Sequence, residues 1–210
     1  MTDKIDFYTN PMSRGQIARW MLEEVGAAYD THILDYASGM KGDAYLAINP
    51  MGKVPAIVHK GKVVTECAAI CAYLADAFPA ASLAPTDDER ADYYRWLFFA
   101  AGPVEAAVTN KSAGFEVSAE RERSFGYGNY DLTVQTLASA VTGKAYVCGD
   151  RFTAADVYVG SQVIWGTQFG TIPTNDAFAA YAERLMARDA YQRAKAIDND
   201  LIAQMQAPAG

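Results

Sequence analysis

Along the first eighty residues the spacing of apolar positions changes period several times, and each change marks an element. Lys4–Thr9 alternates apolar and polar side chains, the two-residue period of a half-buried strand. Asn10-Pro11 breaks it, and a helix is predicted from Ser13, where Ser-Arg-Gly-Gln carries the spacing of a capping box. Ile17, Trp20, Met21 and Val25 recur at helical spacing, and Gly26 closes the helix. Tyr29–Leu34 reads as a second strand, and residues 36–48 as a loop holding a short helix. Ala56–Lys60 and Val63–Thr65 are short strands joined by a tight turn at Gly61, and the Ala-rich run Glu66–Phe78 is a helix. The order β-α-β-α-β-β-α suits a compact mixed sheet with helices on its faces.

From residue 79 the pattern changes in kind. Pro79–Asp88 is a linker of Pro, Ala, Ser and Asp, and beyond it the two-residue period vanishes. Arg90–Val108 is helical with a kink or break expected at Gly102-Pro103. Asn129–Val141, Thr153–Gln168, Asp176–Ala187 and Tyr191–Met205 follow as helices, the second opened by Thr-Ala-Ala-Asp, another capping-box spacing. Two domains are therefore expected, residues 1–80 around the mixed sheet and residues 88–210 as an all-helical bundle.

Composition narrows the function. At 210 residues, 51% hydrophobic and 20% charged, the chain has an ordinary globular balance. A net charge of −7 argues against nucleic-acid and anionic-membrane partners, which need a basic face. No basic-then-apolar leader opens the chain, and no apolar run approaches the roughly 18 residues of a membrane span. Three cysteines at spacings that suggest no disulfide framework fit a reducing cytoplasm. Two widely separated histidines, His32 and His59, give a metal site little to build on, so no metal is expected.

Four segments in this order are similar to the cytosolic glutathione S-transferase superfamily, of bacterial type, across nearly the whole chain. They are the strand-to-helix turn from Tyr8 to Gly26, Asn-Pro-Met-Gly-Lys-Val-Pro at 49–55, Thr-Glu-Cys-Ala-Ala-Ile at 65–70, and Gly-Asp-Arg-Phe-Thr-Ala-Ala-Asp-Val at 149–157. The resemblance implies a thioredoxin-like N-terminal domain with a mixed four-stranded sheet, followed by a helical domain that supplies the electrophile pocket. It implies a cytoplasmic enzyme that conjugates the glutathione thiolate to hydrophobic electrophiles, in detoxification or small-molecule catabolism. A non-catalytic binding or regulatory protein of the same fold is the alternative, because fold does not fix function. It also implies a homodimer that pairs the first domain of one subunit with the helical domain of the other, Met51 acting as an apolar key.

The resemblance assigns site residues as well. Pro55 would follow a cis bond that leaves the Val54 backbone free to pair with the peptide glutathione, the co-substrate. Read alone, Pro55 could simply start an edge strand. Glu66 and Cys67 would receive the γ-glutamyl end at a helix N-terminus, with Cys67 standing where the family usually has serine. A thiol donates weakly, so the backbone N–H and Glu66 would carry more of that contact. Lys53 would pair with a ligand carboxylate, and Lys41 is a weaker candidate. Either lysine could equally be a solvated surface residue.

For activation of the thiol, alignment to the serine-type classes selects Ser13, where a hydroxyl meets a helix N-terminus. Alignment to the tyrosine-type classes selects Tyr8 with Arg14 as a cationic helper, and Ser13 is favoured. No cysteine stands at this helix start, which argues against a cysteine-type member and against thiol–disulfide exchange. Tyr93, Tyr94, Trp96, Phe98 and Trp165 are the aromatic residues available to an electrophile pocket, although rings at helical spacing are more often core.

Overall fold

The computed structural model describes residues 4–207, and these group into two compact units, 4–83 with 187–207 and 84–186. In the first, β1 (Ile5–Thr9), β2 (Tyr29–Ile33), β3 (Ala56–His59) and β4 (Lys62–Thr65) form one sheet in the order β2-β1-β3-β4. β1 runs parallel to β2 and antiparallel to β3, and β3 pairs antiparallel with β4. The β3–β4 hairpin turns through Lys60 and Gly61, both at positive φ (52° and 74°), as a two-residue hairpin of right-handed twist requires.

β1 shows why this sheet has two unlike faces. Ile5 and Phe7 are buried on one side; β1 packs there against α1 (Gly15–Val25), and β3 against α3 (Cys67–Ala77). The stripe Ile17, Met21 and Leu22 on α1 packs into the same core as Ile57, Ile70 and Leu74. Tyr8, on the opposite face of β1, packs with Met40 and with Tyr45 of α2 (Asp43–Leu46). α1 ends as its sequence predicts, with Gly26 in the left-handed conformation and its amide returned to Glu23.

The second unit is helical: α4 (Arg90–Phe99), α5 (Glu105–Ser112), α6 (Tyr130–Val141), α7 (Ala154–Gln168) and α8 (Asp176–Met186). The expected kink at Gly102-Pro103 takes a particular form. Residues Ala100–Val104 wind as a π-helical turn between α4 and α5, so the wider turn absorbs the missing proline N–H without ending the helix. α6 is capped by Asn129, whose side chain accepts the Leu132 amide at 2.8 Å. Among the described residues no helix is long and apolar enough to cross a membrane.

The last helix, α9 (Asp189–Gln206), belongs with the sheet unit, although the sequence pattern placed it in the helical bundle. It packs along α1 through a buried pair of low sequence proximity, Arg19 Nε to Asp198 Oδ1 at 2.8 Å, with both residues about 1% exposed. The Arg19 guanidinium also lies over the Phe7 ring and donates to the Tyr29 hydroxyl and Thr31. Arg188 grips Glu24 with two 2.7 Å bonds, Arg193 reaches Glu23 at 3.1 Å, and Trp20 meets Tyr191 edge-to-face.

Candidate functional site

Strand register brings the sequence-predicted site residues to one end of the sheet. Tyr8 stands opposite Ala56 and Ala56 opposite Thr65, so the segments after β1, before β3 and after β4 emerge side by side. Those segments hold Ser13 and Arg14, then Lys53, Val54 and Pro55, then Glu66 and Cys67. The Cys67 thiol donates to the Arg14 carbonyl at 3.5 Å, which ties the start of α3 to the turn before α1.

The Val54–Pro55 bond is cis. Among the described residues no backbone hydrogen bond joins Val54, since the ladder begins at Ala56. The preceding residue is held firmly: the Lys53 carbonyl accepts from the Tyr45 hydroxyl at 2.6 Å and from Asn49 Nδ2 at 2.8 Å. Burial of Tyr45 pushes its phenol up to about 12, so it stays a protonated donor to that carbonyl. Lys41, by contrast, is spent on the loop itself, with Nζ donating to the Gly52 and Met51 carbonyls. The Lys53 side chain is exposed.

Glu66 is the conformational outlier. Its φ of 65° and ψ of 118° lie outside the small left-handed well where Ser82 sits, at a cost of about 1–3 kcal/mol. Such a residue persists only where its surroundings fix it. Here it immediately precedes α3, whose first amides have no partner within the helix and form the positive end of its dipole. Glu66 is exposed, whereas Cys67 is buried at that helix start. Cys71, one turn on, is fully buried in the core, and burial pushes its thiol well up.

The turn before α1 departs from its sequence pattern. The capping box expected of Ser13 and Gln16 does not close. Ser13 Oγ accepts the Gly15 amide at 2.9 Å and donates to the Asn10 carbonyl at 2.6 Å, while the Ser13 amide also goes to Asn10 O at 3.0 Å. Gln16 turns its Nε2 to the Pro11 carbonyl instead, at 2.5 Å. Asn10, 1% exposed, organises the turn: Nδ2 holds the Leu34 carbonyl and Oδ1 accepts the Met12 amide. Gly15 is required, because a Cβ there would lie 1.9 Å from Thr9 Oγ1 and 3.0 Å from Ser13 Oγ.

Tyr8 occupies different surroundings. Its ring stacks on His32 at 4.6 Å, tilts against Tyr45 at 5.6 Å and packs, as Val54 does, against the Met40, Tyr45 and Ala56 cluster. Burial first, then the Asp6 carboxylate, raise its phenol. His32 pairs with Asp6 at 2.9 Å, and His59, buried, bonds the Tyr73 hydroxyl and stacks on Phe78. Both imidazoles are thus engaged structurally, and among the described residues no cluster of metal-ligating side chains occurs.

The profile of the glutathione S-transferase N-terminal domain matches residues 12–77. A glutathione S-transferase of Escherichia coli O157:H7 is 30% identical over 164 residues, 73% of this chain and 77% of its own length. The chain belongs to the glutathione S-transferase superfamily. Among solved structures, a glutathione transferase from Methylococcus capsulatus superposes with a TM-score of 0.74 at 27% identity, over 93% of this chain and 98% of that one. A sphingomonad glutathione S-transferase solved with glutathione gives 0.74 at 26%, over 92% and 98%.

In this transferase-family chain, Asn10, Gln16, Tyr45 and Asn49 join the candidate site, although none was a site candidate in the sequence. Asn10-Pro11 carried a signal only as a strand breaker and Gln16 only as half of a capping box, while Tyr45 and Asn49 bond the carbonyl of a loop that periodicity does not resolve. The aromatic candidates divide: Tyr93 and Trp96 are buried in the helical core, while Tyr94 and Phe98 are 43% and 66% exposed. The helical unit has a cavity of about 370 Å³ between α5, the following loop and α6, lined by Phe115, Tyr127 and Tyr130 among others, and none of the five lines it.

Proposed function

We propose that this protein is a glutathione transferase, joining the glutathione thiolate to hydrophobic electrophiles. The observation that carries this is the pairing of an unbonded Val54 backbone with an exposed Glu66 at the amide end of α3, at one end of one sheet. A short peptide with a free α-amino acid head needs both. Its backbone pairs antiparallel with Val54, and its carboxylate meets the α3 amides while Glu66 takes the ammonium. Cys67 is turned to the Arg14 carbonyl, so the amides and not the thiol serve that carboxylate. Lys53, exposed beside Val54, takes the far carboxylate.

Ser13 stabilises the thiolate. Its proton rests on the Asn10 carbonyl, which also receives the Ser13 amide and Thr9 Oγ1, so the hydroxyl can swing to a sulfur without stranding that oxygen. The thiolate then attacks the electrophilic carbon, the new C–S bond forms, and the leaving group departs with its electron pair. Met51, 65% exposed between Pro50 and Gly52, is the apolar key of a homodimer.

The test is a pH–rate profile with glutathione and 1-chloro-2,4-dinitrobenzene for wild type, Ser13→Ala and Tyr8→Phe. Ser13→Ala lowers kcat/KM about tenfold near neutrality and converges with wild type in alkali, because one unit of thiol pKa is a factor of ten in thiolate. Tyr8→Phe leaves the profile in place. Loss of activity in Tyr8→Phe alone transfers the role to Tyr8 and Arg14. Glutathione binding without turnover by wild type, across electrophiles, identifies a binding protein of the same fold.

A further inference from the structure

The turn carrying Ser13 is held from a helix far away in sequence. Lys195 Nζ of α9 donates to Gln16 Oε1 at 3.2 Å, and Gln16 Nε2 donates to the Pro11 carbonyl at 2.5 Å. The Met12 amide, at the other end of the same peptide unit, is taken by Asn10 Oδ1 at 3.0 Å. Both polar groups of the Pro11–Met12 peptide are therefore fixed by side chains, and this peptide immediately precedes Ser13. An amide side chain can present either its oxygen or its NH₂ to a neighbour. With an ammonium on one side, only the oxygen can face it, so the NH₂ is directed at Pro11. Lys195 thus selects the amide orientation that pins the turn. It sits on the helix that Arg19–Asp198, Arg188–Glu24 and Arg193–Glu23 clamp to α1, so its approach to Gln16 is fixed.

We infer that Gln16 is a positioning residue for the Ser13 hydroxyl and that Lys195 of α9 sets its amide, so the last helix tunes the acidity of the bound thiol. This rests on Ser13 as the thiol activator proposed above. Without the Gln16 bond the Pro11–Met12 peptide keeps only its Asn10 contact and can tilt about it, the plane of the next peptide turns with it, and the Ser13 Oγ moves off the line to the sulfur. A hydrogen bond weakens steeply with such misalignment.

The experiment titrates the ultraviolet absorbance of the glutathione thiolate bound to full-length wild type, Gln16→Leu, Gln16→Glu, Lys195→Met and Lys195→Arg. In Gln16→Leu the bound thiol's apparent pKa rises by about one unit, a tenfold loss of thiolate near neutrality. Gln16→Glu behaves alike, because a carboxylate accepts from Lys195 but cannot donate to Pro11. Lys195→Met gives a smaller rise of the same sign, and Lys195→Arg, which still donates, restores the wild-type value. A role confined to folding would lower thermal stability in these variants and leave the thiol pKa where it is, and that result overturns the inference. If wild type lowers the thiol pKa and Ser13→Ala abolishes the effect while the Gln16 and Lys195 variants do not, this inference alone fails. If wild type itself does not lower it, the Ser13 assignment fails first and takes this one with it.

Discussion

Two helix starts in this chain carry the same local pattern and are used in opposite ways. Ser13-x-x-Gln16 and Thr153-x-x-Asp156 both have capping-box spacing. At α7 the box closes: the Thr153 amide donates to Asp156 Oδ2 at 2.9 Å, and the reciprocal bond is made. Asp156 is fully buried and also accepts the Val147 amide and the Tyr181 hydroxyl, each at 2.8 Å. At α1 the box stays open, Ser13 remains partly exposed, and Gln16 spends its amide on Pro11 and Lys195. A pattern that closes on itself is structural. One that is left open keeps a hydroxyl and helix amides available for something else, and local rules tend to fail where a site is built.

The contrast breaks most decisively at the closed box. Asp156→Ala strands the Val147 amide and the Tyr181 hydroxyl in the core and removes the α7 cap, a loss of about 3 kcal/mol or more. Urea unfolding measures it, with the midpoint falling at constant slope. A loss under about 1 kcal/mol would mean that packing, not this carboxylate, holds α7. Glutathione binding serves as the control, since the Asp156 bonds lie wholly within the helical unit.

The open box breaks at Gly15. An added Cβ would fall 1.9 Å from Thr9 Oγ1, and Thr9 is fully buried, so neither side can give way freely. Gly15→Ala therefore costs about 2 kcal/mol by overpacking and displaces the Ser13 turn. Thr9→Ala in the same chain removes the clashing hydroxyl and returns most of that loss, a coupling that thermal melts of the four-member cycle read directly. Strict additivity of the two substitutions would place the strain elsewhere.

What sequence pattern could and could not reveal follows the same division. Alternation in Lys4–Thr9, the stripe of Ile17 and Met21, the Gly26 stop and the turn at Gly61 are all short-range, and each element they predicted is present within a residue or two. The punctuation around Pro55 and Glu66 marked the end of the sheet where the candidate site residues gather. Three features stayed hidden because they depend on partners far along the chain or on a competition between local preferences. Arg19 drew no reading from the sequence, and its place is explained only by Asp198, 179 residues away, beside it. Gln16 reads as half of a cap until Lys195 arrives from the other side. Gly102-Pro103 reads as a kink or break, yet flanking helix propensity carries the chain through it as a π turn.

The smallest expected effect is a pH dependence two residues before the closed box. Arg151 donates from Nε to Glu89 Oε1 at 3.0 Å and from Nη2 to the other carboxylate oxygen, while the Thr86 amide adds a third bond at 2.8 Å. The arginine, more than the opposing burial, lowers the Glu89 pKa. A carboxylate whose folded pKa is depressed stabilises the fold above its unfolded pKa, and loses that contribution as pH falls through the folded value. Arg151→Met removes most of the depression. The variant should be about 0.5–1 kcal/mol less stable at neutral pH, a modest figure because the Arg151 side chain is 35% exposed and solvent screens the pair. Its acid limb should be flatter than that of wild type, so the two stability curves approach each other below the usual glutamate range near pH 4. They do not quite meet, because Arg151 also donates to the Ala84 carbonyl at 2.8 Å, a bond to a neutral acceptor that acid leaves intact. Denaturant midpoints measured from neutral to acid pH decide it: a gap that stays constant across the series would show that Arg151 acts through Ala84 and packing, with Glu89 contributing no charge-dependent share.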